Sequence, residues 1–321
     1  MILKVVALLI LQAHVAPGVE AATYPDRPIR LIVPSAAGGG PDTVARFVAA
    51  EFVRQMGQQV VVENRPGGAF VIGMDAIAKA TPDGYTIGYA SVGPLAISRS
   101  LIPKMPYDPD KDLQAIGQVG VSQCIVGVSP SAPFRTVGEM IDYAKKYPGK
   151  LTHGSPGNDS VDHLSAELFK IMTGTQMVHV PYKTSSQALT ELIAGQVSLM
   201  FANLPSIWTQ VRSGKVRAIA VTGPKRSPGF PELPTVAEAG VPGYEAVSWG
   251  GIVAPAGIPK AIVARLNAEV NSAIATPTFR EKYAAIGNEP LGGTAEEFTA
   301  FIKHEAAKWA NVIKHVGAKL D

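Results

Sequence analysis

The most constraining feature of this 321-residue chain is a strand, a glycine turn and a helix start in one short stretch. Residues 31–33 are β-favouring and predict a buried strand, which Pro34 ends because it has no N–H to donate. Residues 38–40 are glycines, and apolar residues at helical spacing from Val44 predict a helix that begins near Pro41 or Asp42. Such a turn exposes unpaired N–H groups at the positive end of the helix dipole, so it predicts an anion-binding site.

The residues of this stretch do not match the sequence motif of a nucleotide-binding loop. It lacks the Lys-Ser/Thr pair of a phosphate-binding loop and the spaced glycines of a dinucleotide fold. With no lysine to meet a polyphosphate, a carboxylate is the anion that it favours. The motif alone leaves open the alternative of a plain strand-to-helix turn.

Length and composition narrow the class of protein. The chain is long enough for two domains, and 46% hydrophobic with 17% charged residues describes a globular protein. The net charge of +3 is mild and no basic stripe is present, so nucleic acid is not an expected partner.

The N-terminus carries the pattern of a secretory signal peptide. One positive charge in residues 1–4 precedes a short apolar run at 5–11, and small residues near Ala21 and Ala22 offer a cleavage site. Residues 1–22 are therefore predicted to be removed on export. A retained N-terminal anchor is the alternative.

Predicted strands and helices alternate along most of the chain, which indicates parallel sheets covered by helices. The predicted strands are 29–33, 59–62, 86–90, 115–121, 125–128, 151–154, 176–180, 197–201, 216–222 and the extended run 249–253. The predicted helices are 43–56, 71–79, 94–101, 136–146, 187–194, 259–275, 278–285 and 295–316, with one more after His163. Residues 155–163 repeat the strand, glycine turn and helix start, so two anion-binding turns would face each other across a cleft.

No catalytic or metal-binding set emerges from the sequence. His163 lies near Ser160, but neighbours along one helix do not make a catalytic triad. The six histidines show no metal spacing, and no cofactor motif is present. Cys124 is the only cysteine and is interpreted as a small buried hydrophobe. Trp249 is predicted either to stack on a ligand or to pack between domains.

Nine sequence blocks together resemble one family, the extracytoplasmic solute-binding proteins of tripartite tricarboxylate transporters, also called Bug or TctC-type receptors. The resemblance extends over essentially the whole mature chain. The blocks are YPDRPI (24–29), VP with GGG and Asp42 (33–42), VENRPG (62–67), PDGYT (82–86), HVPYK (179–183), NLPS (203–206), GKVRA (214–218), PELPT (231–235) and APAG (254–257).

The resemblance implies an α/β, two-domain periplasmic binding protein of type II, a Venus flytrap with an interdomain ligand cleft. We predict one domain over 23–124 plus 250–321 and a second over 125–249. The implied function is capture of a dicarboxylate or aromatic carboxylate in the periplasm for a membrane permease of TctA/TctB type, by a monomer without enzymatic activity. The alternatives are a sensory receptor for a signalling partner and a secreted hydrolase that uses Ser160 and His163.

The resemblance also implies which residues hold the ligand. The two turns and the far side of the cleft would contribute Ser35, Ala37, Gly38, Gly39, Asp42, Ser91, Ser155, Gly157, Asn158, Ser160, His163, Thr184, Ser185, Ala202 and Trp249.

Four positions depart from the family pattern. Ser35 replaces a frequent aromatic and Ala202 a frequent aspartate, which predicts a roomier, less acidic cleft and a bulkier ligand. Pro41 cannot donate an N–H. Asp159 replaces a usual glycine, and we interpret it as an outward-facing N-cap of the following helix rather than a ligand contact.

Overall fold

The computed structural model describes residues 24–157 and 160–317. The strands are β1 (Ile29–Val33), β2 (Val60–Asn64), β3 (Thr86–Ser91), β4 (Leu113–Val128), β5 (Leu151–Ser155), β6 (Met177–Pro181), β7 (Leu199–Asn203), β8 (Arg217–Val221), β9 (Val247–Pro255) and β10 (Asn288–Pro290). The helices are α1 (Gly40–Met56), α2 (Val71–Ala78), α3 (Ser98–Leu101), α4 (Val137–Lys146), α5 (Val161–Thr173), α6 (Ser185–Ile193), α7 (Leu204–Arg212), α8 (Lys260–Ala275), α9 (Pro277–Ala285) and α10 (Ala295–Val316). A short π-helical turn (Gly93–Ile97) precedes α3.

The strands form two parallel groups joined by antiparallel strands. In the first lobe β1 pairs in parallel with β2 and β3, and in the second lobe β5 pairs in parallel with β6 and β7. Between the groups, β4 and β9 run antiparallel to each other, and β9 is also antiparallel to β3. The predicted parallel pairing is thus found in each lobe, and the central strands add antiparallel pairs to it.

Strand β4 connects the two lobes. Its first part pairs with β9 as far as Gln123, and from Cys124 it pairs with β7 and β8 instead. The predicted strands 115–121 and 125–128 are thus one strand, because no turn separates them. The switch of partner agrees with a domain boundary near residue 124, and we propose one domain over 23–124 plus 250–321 and a second over 125–249.

Apolar spacing explains why the longer helices form where the sequence predicts them. In α1, Val44, Val48 and Phe52 lie one turn apart and are buried against the sheet, and α10 begins with a capping box between Thr294 and Glu297. Helix α7 was not predicted. Within the described residues, no helix is long and apolar enough to cross a membrane.

Candidate functional site

A cavity of about 430 Å³ lies where the two parallel groups of strands meet. Ser91 ends β3 in the first lobe, and Asn203 ends β7 in the second lobe. Both residues line the cavity, so it lies at the carboxyl edges of the strands, the usual place for a ligand in an α/β sheet. Among the described residues that line it, none carries a charged side chain.

The first wall of the cavity is the N-terminus of α1, and Gly40, Pro41 and Thr43 line it. The N-cap residue of this helix is Gly39, which has no side chain to cap it, so its first amides are not occupied by a hydroxyl or carboxylate at the cap position. The predicted first anion-binding turn therefore borders the cavity with its helical end.

Asp42 organises this turn rather than facing the cavity. Its carboxylate accepts hydrogen bonds from the Gly38 amide at 2.8 Å, from Arg46 Nε at 3.0 Å and from Asn64 Nδ2 at 2.9 Å. Burial would raise the pKa of Asp42, but these hydrogen bonds hold it below its ordinary value. Gly38 has φ +79°, a left-handed conformation that favours glycine. Asp42 thus holds the turn in shape.

The opposite wall is the N-terminus of α7, which sequence reasoning missed. Asn203 and Ser206 line the cavity, and this helix also begins without a side-chain cap. The available signal was the proline in its second position, as in α1, because proline is common at helix starts. Two uncapped helix N-termini, one from each lobe, therefore meet at one cavity.

Aromatic side chains form the apolar part of the lining. Trp249 and Tyr89 are among the residues that line the cavity, on the neighbouring strands β9 and β3. The indole N–H of Trp249 donates to Glu305 Oε2 at 2.9 Å, and its ring packs against Phe298 and Phe301 of α10. A Cβ at Gly250 would lie 2.2 Å from the Tyr89 hydroxyl, so only glycine lets this phenol approach β9. Trp249 packs against α10 and also lines the cavity, and its stacking on a ligand stays a prediction.

Among the described residues of the second predicted turn, none lines this cavity. Ser160 caps α5: its Oγ accepts from the His163 amide at 3.1 Å and donates to the Gly157 carbonyl at 2.8 Å. The N-cap of α5 is thus Ser160, and the interpretation of Asp159 as its cap is wrong. Asn158 and Asp159 themselves lie outside the described residues. The cap occupies the His163 amide and leaves two amides in the first turn of α5, the same number that α7 has beside its proline.

The other predicted site residues are dispersed. Ser35 and Ala37 lie in the first turn and Ser155 ends β5, but none of these three lines the cavity. Thr184 caps α6 through the Gln187 amide, and Ser185 is the first residue of that helix.

Ala202 is buried within β7, among the apolar side chains of the second lobe. Ala202 is therefore not among the residues that line the cavity. The neighbouring Asn203 is the residue of this strand that reaches the cavity.

Three histidines stack beneath the second turn. The ring centroids of His163 and His179 lie 3.9 Å apart, and those of His153 and His179 lie 4.9 Å apart. His179 Nε2 lies 2.7 Å from Ser155 Oγ, and His153 Nε2 lies 3.2 Å from the Glu167 carboxylate. Across residues 24–157 and 160–317, no group of three His, Cys, Asp or Glu side chains is arranged to hold a metal ion. The stack is joined to the end of β5 through the contact between His179 and Ser155.

This stack makes stability depend on pH. Burial, followed by the neighbouring His163 and His153, lowers the pKa of His179 to about 3. In the unfolded chain this histidine has an ordinary pKa of about 6.5, so at a pH between about 3 and 6.5 the unfolded chain binds a proton that the folded chain does not. The free energy of unfolding therefore keeps its full value above about pH 6.5 and decreases below it. Glu167 acts in the same direction at lower pH: burial would raise its pKa, but bonds from His153, His163 and Lys170 hold it well below its ordinary value.

We expect the melting temperature to fall between pH 7.5 and pH 5.5. Because His179 is only half-buried and partly screened, its share is about 1 kcal/mol, or roughly 2–4 °C. The variant His179→Gln should show a smaller fall, and His304→Gln, at an exposed position of α10, should behave like the parent protein. An equal fall in all three proteins would contradict the role of His179.

Comparison with known protein families assigns this chain to a family. The model of the family described as "Tripartite tricarboxylate transporter family receptor" matches residues 44–318. This chain belongs to that family. Its members are periplasmic solute-binding proteins, and the sequence-based recognition and the two-lobe α/β fold class are confirmed.

Individual relatives agree with this assignment. The chain is 37% identical to protein BugT of Bordetella pertussis, over 99% of this chain and 98% of the relative. The solved structure of R. palustris Rpa4515 with adipate is 38% identical, with a TM-score of 0.79 over 92% of this chain and 99% of that one. MatC of Rhodopseudomonas palustris, solved with bound malate, is 29% identical, with a TM-score of 0.74 over 90% and 100% of the two chains.

Proposed function

We propose that this receptor captures a small dicarboxylate between its lobes in the periplasm and delivers it to a membrane permease of TctA/TctB type. The observation that carries the proposal is the pair of uncapped helix N-termini, α1 and α7, on opposite walls of one cavity. Each helix end favours an anion, and two such ends suit a molecule that carries an acid group at both ends.

The lining supports an organic acid with a short apolar body. Trp249 and Tyr89 supply apolar surface, while Ser91, Ser122 and Asn203 supply neutral hydrogen-bonding groups. A cavity of about 430 Å³ is of the size that holds a small ligand. Adipate in the structure of Rpa4515 and malate in that of MatC are both dicarboxylates, which supports the same ligand class here.

The proposal is a binding function without catalysis. Ser160 and His163 are joined by a helix cap, in which the serine oxygen accepts from the histidine amide. This contact does not pair a nucleophile with an imidazole base, and the serine proton is directed to the Gly157 carbonyl. We therefore do not propose the hydrolase alternative. Export by cleavage of residues 1–22 and function as a monomer remain part of the proposal.

The proposal is tested by thermal shift with a panel of carboxylates. We expect adipate, malate or a related diacid to raise the melting temperature, because a ligand that binds the native state stabilises it by about 2.7 kcal/mol at a hundred times its Kd. The matched neutral control is adipamide, which keeps the carbon chain and loses both charges. Chemical analysis after incubation should return the acid unchanged.

Two outcomes would contradict the proposal. If adipamide stabilised the protein as much as adipate, the helix ends would not be recognising charge. If aromatic monocarboxylates gave the only shifts, the ligand would be bulkier than the one proposed, as the departures at Ser35 and Ala202 first suggested.

A further inference from the structure

Asn203 occupies the N-cap position of α7 but does not cap it. Asparagine is among the residues most favoured at this position, where its side-chain oxygen accepts from the helix amides. Here no such bond is made. Instead Asn203 Nδ2 donates to Asp162 Oδ1 at 2.7 Å, a contact between the end of β7 and the first turn of α5.

Asp162 is a buried carboxyl group with few hydrogen-bond partners to offset the cost of its burial. The residue is 1% exposed, and its second oxygen, Oδ2, has no hydrogen-bond partner within the described part of the chain. Burial raises the pKa of Asp162 to about 7, although bonds from Asn203, from its own amide and from Cys124 oppose the rise. An orphaned buried oxygen is rare in native proteins and calls for a specific explanation.

The orientation of the Asn203 amide is fixed at both of its ends. Nδ2 points to Asp162, and Oδ1 lies 3.8 Å from Cys124 Sγ. The same sulfur lies 3.9 Å from Asp162 Oδ1, so the three side chains form one cluster, with Asn203 at the cavity and Asp162 and Cys124 buried behind it. The Asn203 oxygen is therefore turned away from the amides of α7.

We propose that Asp162 is a positioning residue: it holds Asn203 out of its capping position and so keeps the N-terminus of α7 open for an acid group of the ligand. This inference rests on the proposed function, since it names what prepares one of the two helix ends for an anion. It explains why α7 is uncapped although its cap residue is asparagine, whereas α5 is capped by its own Ser160.

Few backbone amides are available at the N-terminus of α7, so the loss of one of them would weaken binding of the ligand. The second residue of α7 is a proline and has no N–H, which leaves the amides of Leu204 and Ser206 in the first turn. If the Asn203 oxygen accepted from the Ser206 amide, as in an ordinary cap, it would compete directly with the ligand.

The test compares adipate binding by calorimetry in four variants. We expect Asp162→Ala to weaken binding about tenfold, the size of one cap hydrogen bond, because Asn203 is then free to cap α7. Asp162→Asn keeps an oxygen that accepts from Asn203, so it should bind like the parent protein. Asn203→Ala cannot cap, and adding Asp162→Ala to it should cause no further loss, since the two residues act through one contact.

Equal losses from Asp162→Ala with and without Asn203 would overturn the inference, because Asp162 would then act independently of Asn203. Equal losses in Asp162→Ala and Asp162→Asn would do the same. If no carboxylate binds the parent protein, the proposed function fails instead, and the cap itself is still tested without ligand.

That ligand-free test is hydrogen exchange at the Ser206 amide. In Asp162→Ala we expect this amide to become about tenfold better protected, as the Asn203 oxygen moves onto it, with the amides of α5 unchanged. In Asp162→Asn its exchange should match that of the parent protein. Unchanged exchange in Asp162→Ala would contradict the inference, and lost protection throughout α5 would show that Asp162 only supports folding.

Discussion

Replacing Ser206 with aspartate is expected to weaken binding of a dicarboxylate by roughly 30–150-fold while leaving the protein folded. Ser206 is exposed, lines the cavity and lies in the first turn of α7. A carboxylate here would occupy the helix end and repel the acid group of the ligand by about 2–3 kcal/mol at a separation of roughly 6 Å. The loss is measured by calorimetric titration with adipate.

The Ser206→Asp variant should lose affinity for the ligand without losing thermal stability. A negative charge in the first turn of a helix is favourable by about 0.3–1 kcal/mol, so the melting temperature without ligand should stay constant or rise slightly. Ser206→Ala is the matched control and should bind within about threefold of the parent protein, because it removes a hydroxyl without adding charge. Undiminished binding by Ser206→Asp would mean that the ligand does not approach α7.

Replacing Glu305 with alanine is expected to cause the largest loss of stability, about 3–5 kcal/mol, because it breaks a buried charged pair. Glu305 is 1% exposed and accepts from the indole N–H groups of Trp249 at 2.9 Å and Trp309 at 3.1 Å. Its other oxygen pairs with Lys308. Without the carboxylate, two indole donors and one ammonium group lose their acceptor at once. Denaturant unfolding measures the change.

Glu305→Gln is the matched control. It keeps an oxygen for the indoles and loses only the charge, while Lys308 retains its contact with the Glu245 carbonyl at 3.3 Å. We expect it to lose about 1–2 kcal/mol. If the alanine variant lost no more than the glutamine variant, the indole bonds would not anchor Trp249 in the cavity wall.

The sequence predicts well those parts of the fold that depend on the spacing of apolar residues within one segment. Helix α10 was predicted with the bounds that it has, because its apolar residues recur over many turns. Strand direction is not a local property. The antiparallel pairing of β4 and β9 joins residues far apart in the chain, so alternation of strands and helices could not reveal it.

The candidate site was predicted only in part, for physical reasons that particular residues show. The helix end of α1 follows from its glycine turn, whereas α7 is nine residues long and directly follows β7, so no turn marks its start. The anchoring of Trp249 depends on Glu305, which is distant in sequence. The self-capping of α5 by Ser160 had a readable signal in the serine three residues before His163.

The most direct measurement is a crystal structure of the parent protein grown with adipate, the acid bound in the relative Rpa4515. We expect one carboxylate within hydrogen-bond distance of the first-turn amides of α1, the other at those of α7 beside Asn203, and the carbon chain against Trp249. Adipate bound away from both helix ends, or held by charged side chains elsewhere, would contradict the central claim that two uncapped helix N-termini recognise the ligand.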